Sequence, residues 1–111
     1  MWSLIVFLWL APAPKPLALT VNPRLCMSPC TVRAKVIIEK HEANLTLRVR
    51  VDSGAFYRYS EIALHPNSPV LFLLDYKGLP EGDYTIDADL VRHDGRSWVA
   101  GRASERVQVN P

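Results

Sequence analysis

The sequence is poor in most of the features that would announce a chemistry. It holds only two cysteines, Cys26 and Cys30, among 111 residues. That excludes a scaffold knit from several disulfides and a site built from several thiolates. No apolar run reaches the ~20 residues that span a bilayer as a helix. Charge of one sign is nowhere concentrated: 13 Lys and Arg stand against 11 Asp and Glu, for a formal net charge of +2. Without a basic block, the electrostatic footprint of a nucleic-acid binder is missing. No segment recurs at a period of roughly 20–50 residues, and no serine sits in a G-x-S-x-G context. Helical periodicity is also absent.

What is there begins with an apolar opening. Trp2 to Ala11 is uncharged, and its length suits the core of a signal peptide. Ala11-Pro12-Ala13 carries the small-x-small pattern of a cleavage site, and Pro12, Pro14 and Pro16 read as an extended linker. Residues 1–16 are therefore expected to be signal peptide and Pro-rich linker. Residues 17–111 form one domain, and the chain is expected to be secreted or periplasmic. No stable transmembrane segment is expected after processing. An even cysteine count in an exported chain predicts one disulfide, Cys26–Cys30. Its loop is so short that it contributes only about 2 kcal/mol.

From Leu17 onward the apolar period is two. Seven strands are expected. They are Leu17 to Val21, Thr31 to Glu39, Leu45 to Asp52, Ala55 to Leu64, Val70 to Tyr76, Tyr84 to Arg92 and Trp98 to Val109. Leu45, Leu47, Val49 and Val51 alternate with Thr46, Arg48, Arg50 and Asp52, giving one dry and one wet face. In Val70 to Tyr76, Phe72, Leu74 and Tyr76 are expected inward, yet Leu71 and Leu73 leave the other face apolar too. Asp94-Gly95 marks a hairpin turn. Along the last strand the inward set shifts from Trp98 and Ala100 to Val107 and Val109, which places a bulge at Gly101. Seven short strands with regular turns and no helix argue for an all-β fold, a single seven-stranded antiparallel sandwich.

The stretch Gly78-Leu79-Pro80-Glu81-Gly82-Asp83-Tyr84-Thr85 resembles the L-P-x-G-x-Y segment of immunoglobulin-like and fibronectin type III-like domains. The resemblance implies a tyrosine corner, with the Tyr84 hydroxyl bonding back to the backbone near Leu79. The Cys…Trp…Cys core of antibody domains is absent, because both cysteines precede the second expected strand.

Candidate chemistry is sparse. Cys26, Met27 and Cys30 could hold a soft metal, but one thiol pair without a neighbouring histidine reads better as a loop disulfide. His41, His65 and His93 each fall in a turn and lack local ligand spacing, so no metal and no cofactor are expected. Arg48 and Arg50 alternate on one outer face, Asp87 and Asp89 on another. If their strands are neighbours, they form cross-strand ion pairs. Asn44-Leu45-Thr46 matches a glycosylation sequon.

The strongest candidate interface is Phe56, Tyr57, Arg58 and Tyr59, after the Ser53-Gly54 break. Aromatic and arginine side chains of this kind are enriched at protein contacts. The same residues also suit a plainer role, capping the core from an edge strand. The expected function is a non-catalytic extracytoplasmic binding or structural module that contacts a protein partner or itself. Self-assembly into a filament or surface layer through an edge strand is the second expectation, motivated by the apolar run Val70 to Leu74. A metal carrier ranks last.

Overall fold

The computed structural model describes residues 15–111. The proposed signal peptide, its cleavage site, Pro12 and Pro14 lie outside the described residues. Pro16 lies inside them, and its carbonyl accepts a hydrogen bond from the Glu39 N–H at 2.8 Å. Eight strands follow in order: β1 (Leu17–Asn22), β2 (Leu25–Met27), β3 (Cys30–Ile38), β4 (Asn44–Asp52), β5 (Tyr57–Ala63), β6 (Leu71–Leu79), β7 (Gly82–His93) and β8 (Ser97–Asn110). They form two sheets, one ordered β1-β3-β6 and the other β2-β8-β7-β4-β5.

Two corrections to the expected seven-stranded antiparallel sandwich follow. The described residues form eight strands, because the Cys26 region forms the short strand β2. The larger sheet is mixed, because β2 runs parallel to β8, with Cys26 opposite Val109. The disulfide explains the difference. Cys26 and Cys30 are joined, so the chain leaving β1 is tethered to the start of β3. The intervening residues are thereby held where they can hydrogen-bond to β8, as Ser28 N does to the Asn110 carbonyl at 2.7 Å.

The core forms where the alternating residues of the two sheets meet. Val32, Ala34, Val36 and Ile38 of β3 and Leu47, Val49 and Val51 of β4 are buried, as are Tyr84, Ile86, Ala88 and Leu90 of β7. Each fully buried Val, Leu or Ile contributes about 1.5–3 kcal/mol relative to exposure. Two bulges reset the alternation. On β8, Leu90 pairs with Gly101 and Val91 with Val99, so Ala100 is the extra residue, adjacent to the expected Gly101. On β4, Asn44 pairs with Arg92 and Thr46 with Val91, which leaves Leu45 out of the ladder and exposed, against the expected inward position. Trp98 is likewise exposed. It pairs with Arg92, past the buried Leu90 and Val91, where polar groups rather than apolar side chains close the sandwich.

Gly101 serves a second purpose. A Cβ there would lie 3.0 Å from the Leu17 Cβ and 3.3 Å from the Pro16 Cβ, so the bare backbone is what lets β1 approach β8. On that flank the two sheets close against each other. On the opposite flank the outermost strands, β5 and β6, have no further strand beside them among the described residues.

Candidate functional site

The turn from Asp52 to Phe56 is held by its own polar groups. The Asp52 carboxylate accepts the Gly54 N–H at 2.8 Å, and the Ser53 hydroxyl oxygen accepts the Phe56 N–H at 3.1 Å. The Ser53 N–H also donates to the Phe56 carbonyl at 2.9 Å. Gly54 has φ +88°, a conformation that side chains other than glycine's resist. The turn delivers the chain into β5 in one orientation, and that orientation divides the four candidate residues into two pairs.

Phe56 and Arg58 turn toward the core side. The Phe56 ring packs edge-to-face on Tyr84 with centroids 5.9 Å apart, and the Arg58 guanidinium lies 5.5 Å from the Phe56 ring centre. Phe56 thus caps the core, the plainer of the two roles. Tyr57 and Tyr59 point to the outer face of the larger sheet and are exposed. The Tyr59 hydroxyl donates to Glu61 at 2.8 Å, and that bond holds the phenol above its ordinary pKa.

Beside the two tyrosines lies an ionic lattice. In register across β5, β4, β7 and β8, Tyr59 is followed by Arg50, Asp87 and Ser104, and Glu61 by Arg48, Asp89 and Arg102. So β4 and β7 are neighbours, and their charges do pair, but along the diagonal. Arg50 reaches Asp89 at 3.3 Å, and Arg102 reaches the other Asp89 oxygen at 2.9 Å. Asp87 accepts the Ser104 hydroxyl. The Arg48 Nε is buried without a hydrogen-bond partner among the described residues.

Tyr84 stands near the start of β7, and its hydroxyl donates to the Pro80 carbonyl at 2.6 Å. Burial raises its pKa. Leu79, one residue earlier, is buried in the core. Tyr76 of β6 is buried with its hydroxyl unpartnered among the described residues. Burial raises its pKa, and nearby Ser60 and Arg58 of β5 partly offset that rise.

The three histidine-bearing turns lie at the opposite end from the Asp52–Phe56 turn, since each is an odd number of strands from it, one for His41 and His65 and three for His93. Two of these turns are cross-tied. The His93 N–H donates to the Ala43 carbonyl at 2.9 Å. The buried Arg92 reaches Glu39 at 2.9 Å and the Asn44 side-chain oxygen at 2.8 Å. The Asn44 amide nitrogen donates in turn to the Glu39 carbonyl at 2.9 Å, so both ends of the sequon side chain are engaged. The ring nitrogen Nδ1 of His41 accepts the Ala43 N–H at 2.9 Å. Among the described residues, no three His, Cys, Asp or Glu side chains converge as a metal site would require.

A shallow groove of about 570 Å³ runs along the outer side of β7 and β8, lined by Arg24, Asp83, Thr85, Arg106 and Gln108. Among the described residues no helix is long and apolar enough to cross a membrane. Sequence reasoning missed Arg92, which looked like an ordinary strand-end arginine, and the convergence of Arg50 and Arg102 on Asp89, which needs the strand register. Scans of the chain against family models, curated proteins and solved structures found no match.

Proposed function

We propose that the chain is a non-catalytic extracytoplasmic binding module of the immunoglobulin-like or fibronectin type III-like kind, contacting a protein partner through Tyr57 and Tyr59. The fold reading rests on strand order. With β1, β3 and β6 as strands A, B and E, and β4, β7 and β8 as C, F and G, consecutive strands change sheet where they do in that class. β5 then pairs with C as a C′ strand, and β2 is an addition beside G. The Tyr84–Pro80 bond at the corner before β7 supports the same reading. The Cys26–Cys30 disulfide and the apolar opening segment support an oxidising compartment.

The observation that carries the site is the exposure of two adjacent outer-face tyrosines on an edge strand, beside a lattice of paired charges. Tyrosine offers large rigid contact area with a polar tip. Arg58, a charge turned to the core side of an edge, discourages pairing with a foreign strand. Contact therefore runs through side chains rather than strand addition. Tyr57→Ala with Tyr59→Ala is expected to abolish capture of the partner from native material while leaving the melting temperature unchanged. Retained capture would refute this site.

A further inference from the structure

The Ile38 N–H donates to the Val70 carbonyl at 2.9 Å, and the register continues Val36 to Phe72 and Ala34 to Leu74. In an antiparallel ladder the backbone groups of alternate residues face one neighbour. Val70, Phe72 and Leu74 therefore face β3, and the N–H and C=O groups of Leu71, Leu73 and Asp75 face an edge that no other described strand covers. The side chains of Leu71 and Leu73 are 46% and 52% exposed, beside Ile37 at 44%. Phe72 and Leu74 on the inner face are only half-buried.

A strand apolar on both faces is the composition of a strand covered on both faces and flanked on both sides. β6 has that composition and stands at an edge. Natural edges carry guards such as inward charges, lysines or bulges. β5 carries Arg58. Residues 70–74 carry none, the charges Asp75 and Lys77 and the bulge against Cys30 and Val32 coming only afterwards.

We propose that two copies of this chain join through β6, antiparallel about a two-fold axis at Phe72, making one six-stranded sheet from two three-stranded ones. The run is its own complement in this register. Leu71 faces the second copy's Leu73 on the outer side. On the inner side Phe72 faces its own counterpart, and Val70 faces Leu74. Every pair from 70 to 74 is apolar, and the free backbone groups of Leu71 and Leu73 are satisfied. A two-fold contact consumes the same edge on both copies, so it closes as a dimer and does not propagate as a filament. The surface is separate from Tyr57 and Tyr59, so either can fail alone.

Sedimentation of the purified full chain over a wide dilution series is the test. The expected result is a dissociable species of twice the chain mass. Leu71→Lys with Leu73→Lys should shift it to the single-chain mass, with an unchanged circular dichroism spectrum and the melting temperature of wild type diluted to single chains, since both side chains are exposed there. Register is read from cysteine variants: Leu71→Cys mixed with Leu73→Cys should cross-link on mild oxidation, and neither alone should. A wild type of single-chain mass at every concentration would overturn the proposal. So would a double-lysine variant that stays dimeric, or self-cross-linking of Leu73→Cys alone.

Discussion

Arg102 donates from Nε to an Asp89 oxygen at 2.9 Å, and the Asp89 side chain is only 4% exposed although it sits on the outer face of its sheet. Arg50 and Arg102 both reach it, and their own side chains remain partly in water. Asp89→Asn keeps the shape and removes the charge that Arg50 and Arg102 share. The expected loss is about 2 kcal/mol, the scale of a charged hydrogen bond, read as a lower urea midpoint with an unchanged slope. Because Arg102 is itself largely exposed, its own removal should cost less than removal of Asp89.

Phe56 and Tyr57 are adjacent in sequence and opposite in role. Phe56→Ala strips a ring from Tyr84 and should lower stability by about 2–3 kcal/mol. Tyr57→Ala removes only exposed surface and should stay within about 0.5 kcal/mol of wild type. Chemical denaturation of the two variants, run beside partner capture, separates the core-capping residue from the contact residue. Equal destabilisation by both would contradict the division of β5 into two faces.

The buried phenols make an alkaline prediction. Tyr84 and Tyr76 both have pKa values raised by burial above the ordinary tyrosine value of about 10. A raised pKa means that the unfolded chain releases the proton first. The stability from keeping these phenols neutral is therefore complete below pH ~10 and is lost as pH climbs through the folded values. Urea midpoints should be flat up to that point and fall above it. Tyr84→Phe should flatten the fall, while costing about 1–2 kcal/mol at neutral pH by leaving the Pro80 carbonyl unpaired.

Reduction of Cys26–Cys30 should be mild globally and sharp locally. Closing so short a loop is worth about 2 kcal/mol in the chain-entropy model. The sandwich should survive in reductant, whereas amide exchange at Ser28 and Gln108, whose N–H groups bond to the Asn110 and Arg24 carbonyls, should accelerate. An unchanged exchange rate at both amides would show that β2 docks without its tether.

The all-β two-sheet architecture and most of the core were legible because alternation is a local property. Leu47, Val49, Val51, Tyr84, Ile86, Ala88 and Leu90 each reveal their face within two residues. β2 was not legible, since three residues in a cysteine loop carry no period and take their partner from the far end of the chain. Leu45 was misplaced because a bulge is a mismatch between two strands, invisible in either alone. The candidate segment 56–59 was found as a cluster, but its division was hidden: aromatic residues on both faces look alike until the register with β4 sorts them. Residues 70–74 resisted assignment because they are apolar on both sides, a property of the strand itself.

The loops at the histidine end differ in how much change they can bear. Arg92 and His93 staple the turn after β7 to the turn after β3, so lengthening either one would tear a buried cation from its acceptors. Among the described residues the His65–Ser68 turn is hydrogen-bonded within itself, through Ser68 N to the His65 carbonyl at 2.9 Å and His65 N to the Ser68 hydroxyl at 2.8 Å. A doubling of loop length adds only about 0.6 kcal/mol of closure entropy. Foreign peptides grafted between Pro66 and Asn67 would therefore be carried by a frame that scarcely registers them, which makes this corner the natural place to display a sequence of choice.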